Sequence, residues 1–230
     1  MTDGANIEPR LTKRALSLAI LGAVKRAGRT VHRSNLLGTG YSRGDLAHYL
    51  DRTTLSDDER QDAYTCFEDL LRVRLLTQPR MDISAPDDWV MVSPAGVAAL
   101  ERGAVDDLDT ALLKLDPRFL EMREGMWVAA LSANPDRVRQ AAQSARELID
   151  QVLKDHGKGE TRRLRARSLM TKIRGSRSEK DEAIAENAID LLLSVADKLI
   201  SESHSRKNVM ARDISDLLQT AEIALRRLLS

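Results

Sequence analysis

The chain holds a single cysteine, Cys66, in 230 residues. No disulfide can form within it, and the apolar neighbours of Cys66 on a helical pattern point to a buried thiol rather than a nucleophile. Aromatics are scarce: two Trp, three Tyr and two Phe. Seven rings cannot pave a groove on which successive bases stack, so any nucleic acid would be held mainly through its phosphates. No apolar run approaches the length of a membrane span, and the N-terminus lacks the charged start and apolar core of a signal peptide, which predicts a cytoplasmic protein that needs no membrane. Also missing are a glycine-rich phosphate loop ahead of a helix, Cys/His zinc spacing and a serine nucleophile elbow, and no cofactor is expected.

Charge is plentiful but balanced, 36 Lys and Arg against 35 Asp and Glu. The balance differs between halves: residues 1–115 carry 15 basic against 17 acidic side chains, residues 116–230 carry 21 against 18. Much of the positive excess sits in one segment. Arg162, Arg163, Arg165, Arg167, Lys172, Arg174 and Arg177 follow one another with no carboxylate between them. Seven such cations form either a solvated basic linker or a polyanion site. Arginine favours phosphate, because its planar fork binds two oxygens at once where lysine acts as a point charge.

In the first half, Leu16, Ala19, Ile20, Ala23 and Val24 recur at helical spacing over Leu11 to Arg26, and Gly28 stops the helix. A short helix is expected over Arg43 to Leu50 with Ser42 as its cap. Ser56 and Glu59 form a capping box for a third helix reaching about Leu76. Leu75 to Val92 contains two β patterns around a turn, and Ser93 with Pro94 opens a further helix. Three helices, a hairpin and a helix resemble a winged helix-turn-helix over residues 10–103. The third helix would bring Asp57, Asp58, Glu59 and Asp62 to the end that usually meets DNA, and four carboxylates there repel it. Lys13, Arg14, Lys25, Arg26, Arg29, Arg33 and Arg43 leave another docking face open.

Residues 104–115 are expected to be a linker, and residues 116–230 a four-helix domain, so that the whole protein is mainly α. Asp116 with Pro117 and Asn134 with Pro135 mark helix starts. Phe119, Met122, Met126 and Ala130 form one inward stripe, and Val138, Ala142, Ala145, Ile149 and Val152 a second that ends at Gly157. A capping box at Ser178 and Asp181 opens a long helix to about Glu202, with Ile184, Ala188, Leu191, Val195 and Leu199 facing inward. The last helix, about Met210 to Leu229, buries Ile214, Leu217, Ala221, Ala224 and Leu228.

Near the end of the long helix, Asp197-Lys198-Leu199-Ile200-Ser201-Glu202-Ser203-His204 resembles the active segment of HEPN ribonucleases, all-helical domains that carry an Arg and, a few residues on, a His. This chain offers Lys198, five residues, then His204. The resemblance implies metal-independent RNA cleavage, with His204 acting on the 2′-hydroxyl and the cation on the phosphate. Lys198 in the arginine's place forgoes the bidentate contact. On a helix Asp197, Ser201 and His204 share a side, so that Asp197 could orient the imidazole. The plainer reading is a helix-end histidine favoured by the dipole, as for His156.

Asp-Pro-Arg-Phe at 116–119, Gly-Met-Trp-Val-Ala-Ala-Leu at 125–131 and Asn-Pro-Asp-Arg-Val-Arg-Gln-Ala-Ala-Gln-Ser-Ala-Arg-Glu-Leu-Ile-Asp-Gln-Val-Leu at 134–153 are similar to the opening of the predicted nucleases found beside prokaryotic PIWI systems. That resemblance implies a role in defence against invading DNA or RNA, with a defence-system protein as a partner, and it emphasises Trp127, Arg137 and Arg146. Read as residues, Trp127 is a core side chain and Arg146 with Asp150 an i, i+4 ion pair. Glu182, Glu186 and Asp190 make a ladder at steps of four that either binds a divalent metal or serves as an internal partner for the arginine segment. The rival functional readings are a DNA-binding winged-helix regulator whose helical half forms a homodimer, and a protein interaction module.

Overall fold

A computed structural model describes residues 10–39, 41–79, 88–174, 179–204 and 211–230. The chain divides into two compact units, Leu11–Val105 and one containing Asp106–Ser230.

The first unit runs α1 (Lys13–Ala27), β1 (Val31–His32), α2 (Arg33–Leu37), α3 (Asp45–Tyr49), α4 (Asp57–Arg72), β2 (Leu76–Thr77), β3 (Trp89–Val92) and α5 (Pro94–Arg102). The Thr12 hydroxyl caps α1, and Gly28 ends it at φ 66°, a left-handed position that favours glycine. The capping box of α4 is present, with Ser56 and Glu59 satisfying each other's backbone N–H groups. Ser42 does not cap α3: its hydroxyl is bonded to Thr39, and Gly44 precedes the helix without a side-chain cap. The strand β1 and the five-residue α2 are too short for periodicity to announce. The strand β1 joins β3 and β2 in an antiparallel sheet of order β1-β3-β2, with Val31 opposite Val90 and Leu76 opposite Val92. Ile20, Leu36, Leu46, Phe67, Leu76 and Val90 fill the core beneath it, and Cys66 is buried there with its thiol pKa raised by desolvation.

The second unit is helical among its described residues: α6 (Asp107–Leu115), α7 (Pro117–Leu131), α8 (Arg137–His156), α9 (Arg162–Arg174), α10 (Glu179–His204) and α11 (Ala211–Leu229). The four expected helices are the long ones, α7, α8, α10 and α11. The segment expected as a linker is instead α6 over most of its length: the Asp106 carboxylate caps it by accepting from Asp109 N–H at 2.7 Å, and Leu108 and Leu112, one turn apart, are fully buried. The arginine segment forms α9, held by Ala166, Leu169 and Met170 in the same core. Within the unit α8 packs against α7, α9, α10 and α11.

The inward face of α10 is turned from the expected one. Ala188, Val195 and Leu199 are buried as anticipated, but Ile184 and Leu191 are exposed, and Ile189, Leu192 and Ala196 take their place. A helix that meets α8, α9 and α11 together buries a stripe wider than one row of side chains, and here the stripe runs through Ala188, Leu192, Ala196 and Leu199, so that Ile184 and Leu191 fall beyond its edge. The box expected at Ser178 and Asp181 lies outside the residues and side chains described. No helix among the described residues is long and apolar enough to cross a membrane.

Candidate nucleic-acid interface

The arginine helix is positioned from its N-terminal side. Gly157 ends α8 in an extended conformation, so its role is space rather than a left-handed turn: a Cβ there would stand 2.3 Å from the Arg165 carbonyl oxygen. The Thr161 hydroxyl accepts from Leu164 N–H at 3.2 Å and starts α9, and Arg165 Nε donates to the Gly159 carbonyl at 2.9 Å. The backbone of the joint is thereby closed onto the helix it introduces.

The cations of α9 are not uncompensated, as the sequence alone suggested. Arg162 binds Asp150 of α8 through Nε at 2.8 Å and Nη2 at 2.9 Å, and its Nη1 lies 3.5 Å from Asp197 of α10. Arg163 reaches Glu186 at 3.3 Å and also pairs with Asp190. Arg167 grips Glu186 with both arms of its fork, Nε to Oε1 at 2.5 Å and Nη2 to Oε2 at 2.8 Å. The hydrogen bonds and charge of Arg167 hold the Glu186 carboxyl below its ordinary pKa. The partners lie on neighbouring helices, where no local pattern could reveal them. Arg165 and Lys172 have no carboxylate partner among the described residues. Arg174 belongs to α9 by its backbone with its side chain not described, and Arg177 lies outside the described residues.

Of the ladder on α10, Glu186 and Asp190 serve as partners for the arginine segment, the second of the two roles open to them. The Glu182 side chain is not among those described. No group of three or more His, Cys, Asp or Glu among the described residues is arranged to hold a metal ion.

Asp197, Lys198 and His204 lie on one continuous helix, so the expected side-sharing of Asp197, Ser201 and His204 has the backbone it requires. Asp197 is largely exposed and faces Arg162. Lys198 pairs with Glu202 one turn on at 2.5 Å. The imidazole of His204 is not among the described side chains. His156 ends α8 edge-on to Phe119, with ring centroids 5.5 Å apart.

Sequence reasoning missed the most densely bonded charge in this unit. Arg123 of α7 donates to Glu222 of α11 at 2.7 and 2.9 Å, to Asp106 at 3.1 and 3.0 Å, and pairs also with the fully buried Asp109. Trp127 Nε1 donates to Glu222 at 2.7 Å, so Trp127 joins core packing to this network. Arg226 adds contacts to Asp107 at 2.8 Å and Asp106 at 3.4 Å. Burial opposes the charge on Arg123, but the surrounding carboxylates raise its pKa well above the usual value. For Asp106 burial likewise acts upward, and Arg123, the Asp109 N–H and Arg226 outweigh it. The signal existed in sequence: Arg123 stands between Phe119 and Trp127 on the inward stripe, and Asp109 between Leu108 and Leu112. A charge at core spacing demands a partner. Arg146 forms the expected pair with Asp150, at 3.6 Å, and Arg137 donates to the Ser132 carbonyl at 3.2 Å.

In the first unit, Arg14 is bound to the Gly103 carbonyl, Lys25 to Glu101, and Arg33 to Asp88 and Glu68. Lys13, Arg26, Arg29 and Arg43 are exposed with no carboxylate partner among the described residues.

The family model described as a predicted pPIWI-associating nuclease matches residues 112–228, just over half of the chain. No curated protein and no solved structure gives a significant match.

Proposed function

Because the chain belongs to the predicted pPIWI-associating nuclease family, we propose that its helical unit holds a polynucleotide by the phosphates along α9 and cleaves it beside the C-terminal end of α10, as an endoribonuclease of a prokaryotic defence system. The observation that carries the reading is the approach of Arg162 to Asp197, which ties the cationic helix to the turn of α10 that leads to His204. Arg165 and Lys172, seven residues apart and so on one side of α9, face no carboxylate among the described residues and meet phosphates first.

In this reading His204 takes the proton of a ribose 2′-hydroxyl. The 2′-oxygen then attacks the adjacent phosphorus, the bond to the 5′-oxygen breaks, and that oxygen regains a proton as it leaves. A neighbouring cation offsets the charge that accumulates on the phosphate, and Asp197 orients the imidazole. The reaction needs no metal. The order α1-β1-α2-α3-α4-β2-β3-α5 supports a winged-helix reading of the first unit, while Asp57, Asp58 and Glu59 in the first turn of α4 weigh against that helix as a DNA reader.

The test is cleavage of labelled RNA in the presence of chelator. His204→Ala should remove cleavage and leave binding nearly intact, because a general base acts in the transition state. Arg165→Gln with Lys172→Gln should weaken binding and reduce its salt dependence, by about 0.7 for each phosphate of a single strand that is no longer neutralised. Cleavage that survives His204→Ala but stops with chelator, or the absence of cleavage of any RNA or DNA under any metal condition, refutes the ribonuclease reading.

A further inference from the structure

The acidic partners of α9 have the arrangement of a bound ligand. Glu186 and Asp190 are one turn apart on α10, so their side chains leave the helix about 6 Å from each other on one face. Opposite them stand Arg163 and Arg167, also one turn apart. Arg167 holds Glu186 side-on with two parallel bonds, 2.5 and 2.8 Å, the mode in which guanidinium takes up a phosphate. Arg163 spans both carboxylates. All four side chains are partly exposed, between about a third and a half, so a solute can reach them.

We infer that Arg163 and Arg167 are phosphate-binding positions occupied in the free protein by Glu186 and Asp190, which imitate two phosphates and are displaced by the phosphodiester backbone of a single-stranded polynucleotide. The inference rests on the proposed function, and it adds that the site is self-occluded. The exchange is feasible because exposed ion pairs are individually weak. A polyanion supplies phosphates at high local density, and each phosphate that is neutralised releases counterions, which a carboxylate cannot do. The displaced Glu186 and Asp190 then repel the strand, which sets a threshold: short or sparsely charged anions leave the pairs intact, whereas a long strand engaging Arg165 and Lys172 as well overcomes them. Arg162 is not part of the exchange, since both arms of its contact with Asp150 are directed to α8.

Affinity for labelled oligo-uridylate and oligo-thymidylate, measured over a range of salt, tests this. Glu186→Gln with Asp190→Asn should bind about threefold to tenfold tighter than the wild type. Its salt dependence should steepen by up to about 0.7 for each arginine newly engaged with a phosphate. Adding Arg163→Gln and Arg167→Gln should cancel the gain in affinity. Thermal unfolding checks that the variant is intact, and if the double variant does not fold, Glu186→Gln alone should show a smaller gain of the same sign. Binding that is unchanged or weakened by neutralising Glu186 and Asp190 overturns the inference and leaves the proposed function standing. If neither wild type nor variant binds either oligonucleotide, α9 is not a nucleic-acid site and both fall. A gain on oligo-uridylate alone assigns the site to RNA, and a gain on both to the shared backbone.

Discussion

Arg123 on α7 and Glu222 on α11 meet through two hydrogen bonds, 2.7 and 2.9 Å, across 99 residues of chain. Their contact joins the start of the helical unit to its end, with Asp106 and Asp109 of α6 on the same guanidinium. Removing the cation leaves carboxylates buried without their shared partner, which costs far more than the ion pair contributes. Arg123→Met should therefore lower stability by about 3–5 kcal/mol. Chemical denaturation should show it, and Asp109→Asn added to Arg123→Met should restore part of the loss.

Acid should act at the same place. The folded-state pKa of Asp106 is lowered relative to the unfolded chain, so the group contributes stability that is present above its unfolded value of about 4 and is lost as pH falls through the folded value. Glu59, held by the Ser56 amide and hydroxyl and by Arg52 against the opposing effect of burial, adds in the same direction. The urea midpoint should fall as pH drops below about 4, and Asp106→Asn should flatten that dependence.

Trp127→Phe keeps most of the ring and removes the N–H that donates to Glu222 at 2.7 Å. A charge-assisted bond of this kind contributes about 1.5–3 kcal/mol, which the variant should lose. Trp89 and Trp127 are the two tryptophans of the chain and lie in different units. Tryptophan fluorescence of Trp127→Phe should then follow unfolding of Leu11–Val105 alone.

Glu59→Ala removes a capping-box member and the carboxylate that faces the buried Arg52. The combined loss should be about 2.5–4 kcal/mol, against about 1 kcal/mol for Ser56→Ala, which removes the cap hydroxyl and leaves the Arg52 pair. Thermal melts of the two variants give the comparison.

Two glycines should respond with opposite signs. A Cβ at Gly157 would meet the backbone carbonyl of Arg165 at 2.3 Å and push α9 away from α8, so Gly157→Ala should cost about 1–3 kcal/mol and weaken RNA binding. Gly125 lies within α7 with nothing within 4 Å of its missing Cβ, so Gly125→Ala should stabilise the unit by about 0.5–1 kcal/mol. Melting temperature and affinity of each variant are the readouts.

The sequence by itself determined what depends on residues a few positions apart. The capping box of Ser56 and Glu59, the Ser93–Pro94 and Asp116–Pro117 helix starts and the Arg146–Asp150 pair are all local, and each is where its spacing indicated. The start expected at Asn134 and Pro135 is displaced: α8 begins at Arg137 behind Asp136, which makes no side-chain cap bond. The short α2 and β1 carried no such signal, because five residues make little more than one helical turn and two make a single alternation, so no repeat stands out. Tertiary structure decided the charges. Whether Arg163 and Arg167 are free or answered depends on Glu186 and Asp190, 19 to 27 residues away. The partner of Arg123 is farther still. It also decided which row of α10 is covered, leaving Ile184 and Leu191 outside, and it turned the supposed linker into α6 once Leu108 and Leu112 had a core to enter. Local hydrogen bonds fix where a helix begins and ends, whereas the side on which a helix is buried and the charge that meets another are set by neighbours that only the folded chain brings within reach.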